Sequence, residues 1–130
     1  MVILEKDYAY SGIRNIRTIY NKIADEDVLQ ILEQYAKAEL IDAIKRLGLL
    51  DIKKLGSLIV WLTRMLGLRV SGVDLVEEPE TGQPQFIAVY IEDCGWDEWR
   101  RLSRQVKKQL VDEGLDDVAG KVALVCSEAL

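Results

Sequence analysis

Histidine is absent from all 130 residues, and cysteine occurs only twice. Without an imidazole the chain lacks the usual general base, the commonest zinc ligand and the ordinary partner of a serine or cysteine nucleophile. Two thiols do not complete a zinc site unless carboxylates join them, and they do not make a disulfide framework. No glycine-rich phosphate loop and no CxxC pair is present. The expectation is therefore no metal, no cofactor and no residue with an assigned catalytic role. Asparagine appears only at Asn15 and Asn21, a scarcity that leans toward a thermophilic source.

Long apolar runs are also missing. The segment Leu55 to Leu62 is interrupted by Gly56 and Ser57 and flanked by Lys53, Lys54 and Arg64. It falls well short of the ~20 residues that a membrane-spanning helix needs. Residues Met1 to Asp7 carry acids at Glu5 and Asp7 and no extended apolar core, unlike a secretory leader. A soluble, cytoplasmic chain with no membrane partner is the expectation.

What is present is an ordinary globular mixture, 49% hydrophobic and 30% charged, enough for one domain with a real core. The formal charge of −5 is uneven. Residues 1–67 carry a net +1 and residues 68–130 a net −6. An acidic half repels a polyanion, so nucleic acid would need a local basic patch working against the general field.

The first 67 residues read as helical. Ile13, Ile16, Ile19, Tyr20 and Ile23 recur at helical spacing over Tyr10 to Ile23. Asp25, Glu26 and Asp27 supply an N-cap and negative charge for a second helix, expected from Glu26 to Leu47 and closed by Gly48. Its apolar positions spread over more than one stripe, which implies contact on two sides. Asp51 is the N-cap candidate for a third helix, Ile52 to Leu66, ended by Gly67. That helix is apolar all round, as a buried hub would be. The supply of apolar surface also suggests a homo-oligomer, most simply a dimer.

Residues 68–130 change character. Leu68 to Glu77 and Gln85 to Glu92 read as antiparallel strands joined by a Pro- and Gly-containing loop, with Gly72 marking a bulge. An amphipathic helix from Trp96 to Glu113 follows, with Gly95 and Glu98 as a partial capping box and Gly114 as its end. A turn at Leu115, Asp116 and Asp117 leads to a last strand, Lys121 to Cys126. The fold class expected is α+β: three helices, then a ββαβ unit forming a small mixed sheet, as one domain of residues 1–130.

Two groups of residues are candidates for function. Glu92, Asp93, Cys94 and Trp96 lie at the turn after a strand, and Cys126 ends a strand expected to be its parallel neighbour. The carboxyl edge of such a unit is where α/β proteins place ligands. Glu92 and Asp93, with Glu128, could hold Mg²⁺, though acids there also simply solvate a turn and complement a helix start. Cys94 stands before a helix start, where a thiol is activated; Cys126 reads as core. Free thiols are expected, because a cytoplasmic chain is normally reduced; a Cys94–Cys126 disulfide is the alternative if the two strands are neighbours. Trp96 and Trp99 could form a ligand platform, but their spacing against a sheet reads first as core.

The second group is Arg100, Arg101, Arg104, Lys107 and Lys108, gathered in a sector of about 120° on a helical wheel. Five cations on one face could grip phosphates. The plainer expectation is a solvated face laced with ion pairs, Asp97 to Arg100 or Arg101 and Lys108 to Asp112. The order three helices then hairpin also matches a winged helix, whose third helix would read DNA. Here that helix offers only Lys53, Lys54, Ser57, Thr63 and Arg64 around an apolar middle. The expected function is an interaction or assembly domain without catalysis, with a homodimer or protein partner and not nucleic acid. The alternatives are a nucleic-acid-binding regulator and a small ligand- or metal-dependent enzyme at residues 92–96.

Overall fold

A computed structural model describes residues 15–126, in which the chain divides into two compact units, Met1–Leu68 and Arg69–Leu130. The class is α+β, with helices preceding a three-stranded mixed sheet.

In the first unit, α1 (Ile16–Lys22) buries Ile16 and Ile19, and its expected start at Tyr10 lies outside the described residues. The three acids 25–27 fall in the first turn of α2 (Asp25–Glu33), where the helix dipole favours them. The N-cap itself is Ala24, which has no side chain to cap with, so the expected acidic cap is corrected by one position.

The long second helix is also corrected. It breaks after Glu33 and restarts as α3 (Ala38–Arg46), with Lys37 turned to extended backbone as the N-cap. The apolar residues that α2 buries are Val28 and Leu32; those of α3 are Ile41 and Ile44. At about 100° per residue the two pairs would lie on nearly opposite sides of one straight helix. The break at Gln34–Lys37 lets both pairs face the same neighbour. The N–H groups of Tyr35 and Ala36 both turn back to the Leu32 carbonyl, at 3.0 and 2.8 Å, and close the first segment.

That neighbour is α4 (Ile52–Val60), which packs against α1, α2 and α3. Every residue from Leu55 to Leu62 is buried, as a hub requires. Asp51 caps it as expected, accepting from the Lys53 N–H at 2.9 Å. The same carboxylate accepts the Tyr20 hydroxyl at 3.0 Å, which ties α1 to the start of α4. This bond to an anion holds the Tyr20 phenol above its ordinary pKa. Gly56 sits where α2 crosses, and a Cβ there would stand 3.2 Å from a Val28 methyl. The last turn is not α-helical as expected but a π turn, Trp61–Met65. The Thr63 hydroxyl bonds the Ile59 carbonyl at 2.8 Å, competing with the ladder, and Leu66 N–H reaches back to Trp61. Gly67, at φ 67°, ends the element.

In the second unit, β1 (Val70–Glu77) and β2 (Pro84–Ile91) pair antiparallel, with the register shift at Gly72 that its sequence position suggests. Leu68 belongs to the preceding helix end, since its N–H bonds the Leu62 carbonyl, so the strand starts two residues later than expected. The connecting loop is knotted by Glu78, whose carboxylate accepts the Thr81 hydroxyl at 2.6 Å and the Thr81 N–H at 3.0 Å. Those bonds hold the Glu78 carboxyl below its ordinary pKa.

Helix α5 (Trp96–Asp112) follows, then β3 (Val122–Cys126), parallel to β2. The sheet order is β1-β2-β3, so β2 is central, and its Ile87, Ala88, Val89 and Ile91 are all buried. Glu98 makes no capping bond, and Gly95 caps α5 by backbone shape alone. The expected turn at residues 115–117 is instead a short helix, α6 (Asp116–Lys121). Its signal was the spacing of Leu115, Val118 and Val122, all three buried on one side. The sheet unit is therefore ββααβ.

Candidate functional site

The parallel register sets Ile91 opposite Cys126, so β2 and β3 end side by side. Beyond β2 the chain turns through Asp93, whose φ of 55° is left-handed, a conformation that Asp tolerates better than most residues. That turn folds Cys94 back over the strand ends, bringing its Cα to 5.8 Å from that of Cys126. The two form a disulfide. The expectation of free thiols, with Cys94 the more reactive, is thus corrected. It rested on cellular compartment, and the local geometry overrides it. Both cysteines are buried, and while bridged neither offers a nucleophile.

The acids at this edge point outward. Asp93 pairs with Arg69 at 3.6 Å, both side chains largely exposed, a contact worth no more than about 1 kcal/mol. Glu92 is exposed, and its N–H extends the hairpin ladder to the Arg69 carbonyl at 2.8 Å. Glu128 lies outside the described residues. Among the described residues, no three His, Cys, Asp or Glu side chains gather in a group that could hold a metal ion. The edge is a stapled corner.

The outward face of α5 is different. Leu102, Val106 and Leu110 are buried and fix the helix on the sheet unit. Trp99 is half-buried, and its indole N–H donates to the Leu124 carbonyl of β3 at 2.7 Å. Trp96 is not in the buried stripe as expected: it is 61% exposed, its ring centroid 4.9 Å from that of Trp99. The half-buried tryptophan therefore stands against the outer one.

Arg100, Arg101, Arg104, Lys107 and Lys108 are all exposed on the side away from the sheet. Among the described residues none of the five makes an ion pair, and the expected partners Asp97 and Asp112 stand apart from them. Val111, 54% exposed, falls inside the same sector. It was missed in the sequence, although its wheel position among the cations marks it as outward. The result is five cations without an ion pair among the described residues, arrayed about one helix with an exposed indole at its amino end.

The third helix of the winged-helix comparison places its polar groups otherwise. Ser57 is fully buried, with its hydroxyl on the Lys53 carbonyl at 2.7 Å, and the Thr63 hydroxyl is likewise spent within the helix. Neither is turned toward a groove. Among the described residues no helix is long and apolar enough to cross a membrane. Comparisons with protein-family models, curated proteins and solved structures give no match for this chain.

Proposed function

We propose that this chain is an interaction domain without catalytic activity of its own, and that its partner docks on the outward face of α5. The observation that carries the reading is the set of five cations that no acid of the described chain neutralises. Unpaired charges of one sign are usually relieved by ion pairs along a helix. Here Asp97 and Asp112 are close in sequence, yet the pairs do not form. A surface held open in this way steers and positions an oppositely charged partner.

Homodimerisation belongs to the same reading but uses other residues. Like charges repel across a two-fold axis, so two α5 faces do not meet each other. Leu29 and Leu47, the exposed leucines of the first unit among the described residues, are the apolar side chains open to self-association. The scarcity of asparagine supports a thermophilic source, a setting in which the disulfide is compatible with an intracellular chain.

The test is a titration at low salt with three polyanions of matched length: polyglutamate, a single-stranded oligonucleotide and its duplex. Binding of any one that is lost on Arg100→Glu with Arg104→Glu is the expected result. Indifference of all three to that reversal would refute the docking face. Light scattering on the same samples should give twice the 14.8 kDa chain mass, falling to the single mass in Leu29→Glu with Leu47→Glu. A single mass in the unaltered protein at micromolar concentration would exclude the dimer.

A further inference from the structure

Resting on that docking face, we propose that its partner is single-stranded nucleic acid, gripped through its phosphates by the cations of α5 and stacked through a base on Trp96. Two observations carry this, and both depart from the plainer sequence reading. The cations make no ion pairs among the described residues, and the tryptophan expected in the core is exposed.

The arrangement matches what single strands need, a positive track beside an aromatic platform. From Arg100 to Lys108 the helix rises about 12 Å, and Trp96 lies about 6 Å before Arg100 on the same axis. The indole is held by Trp99, which is itself fixed by its bond to Leu124. A ring braced on one side and open on the other presents a π-face to a base. Three of the five cations are arginine, whose planar fork suits phosphate oxygens. The surrounding field is acidic, so attraction acts only at this face and falls quickly with distance.

Other partners fit less well. A helix that lies in a membrane surface turns its apolar side to the lipid, but Leu102, Val106 and Leu110 are buried within the chain. An acidic polypeptide would satisfy the cations and leave the braced indole without a role. A duplex hides its base faces, so Trp96 would again contribute nothing, and no element of the face is shaped to enter a groove.

The experiment measures anisotropy of a labelled 20-nucleotide oligothymidine, with its duplex and polyglutamate of equal charge as competitors. The expected order is single strand tightest. With up to five contacts the slope of log K against log salt reaches about −3.5, a loss of up to roughly 130-fold between 50 and 200 mM. Arg100→Ala with Arg104→Ala should make the slope shallower by about 1.4, while Arg100→Lys with Arg104→Lys keeps it. Trp96→Ala should weaken the single strand by about 5- to 160-fold without changing the slope. The lysine pair and unchanged melting of Trp96→Ala guard against misfolding as the cause. Polyglutamate binding as tightly, with Trp96→Ala silent, would overturn the nucleic acid partner and leave the docking face standing. A duplex preferred over the strand would overturn the stacking role. No reversal-sensitive binding of any probe would remove both proposals.

Discussion

Trp99 shows how one side chain can serve sheet and surface together. Its ring joins the half-buried layer under α5, its N–H closes on the Leu124 carbonyl, and its outer side supports Trp96. Leu124 sits on β3, which among the described residues is an edge strand paired with β2. The indole donor ties α5 directly to the backbone of that strand. On the opposite edge strand the Asp74 carboxylate takes the Leu75 N–H at 2.8 Å. Trp99→Phe keeps the apolar body and removes the donor. It should destabilise the protein by about 1 kcal/mol in chemical denaturation, and loosen Trp96 so that its emission shifts toward that of free indole. A melting curve and emission spectrum identical to those of the unaltered protein would show that the bond to Leu124 carries neither role.

At the scale of elements, what the sequence made legible follows from how local its physics is. Asp51, Gly48, Gly67 and Gly114 punctuate helices through their own backbone or side-chain preferences, and each does so at the expected place. The strands β1 and β2, the bulge at Gly72 and the parallel β3 also follow from pattern. The break between α2 and α3 did not, because no glycine or proline marks residues 34–37. Its cause is tertiary: Val28 and Leu32 must face the same helix as Ile41 and Ile44. The wide apolar face was visible, but two helices sharing one neighbour produce it as well as one helix touching two. The short α6 was hidden for a related reason, since six residues give too few turns for periodicity to declare itself. Of the two candidate sites, the cations could be placed on one face by wheel geometry. Whether acids would neutralise them depends on side-chain paths that spacing alone does not determine. Trp96 was misplaced because it lies at the margin of the stripe, where 20° of rotation separates core from solvent.

Across the whole molecule, the disulfide closes a span of 32 residues containing α5, α6 and most of β3. Cross-linking a loop of that size removes denatured-state entropy worth roughly 3–4 kcal/mol. Cys94→Ser with Cys126→Ser should lose a stability of that order, and the unaltered protein, unfolded without reductant, should show no titratable thiol. Two thiols under those conditions would mean that the corner is unbridged. The bridge anchors the start of α5 to the end of β3, and so holds Trp96 and the cations on a fixed frame. A rigid binding face loses less entropy when its partner arrives. The central claim is that this face is open and electropositive around an exposed indole, and it can be tested before any partner is known. Trp61 is buried and Trp99 half-buried, so quenching of fluorescence by dissolved ions reports mainly on Trp96. Iodide, drawn to the unpaired cations, should quench at least about twice as strongly as caesium at low ionic strength, and Trp96→Phe should abolish the difference. Equal quenching by the two ions, or a preference for caesium, would contradict the open basic face.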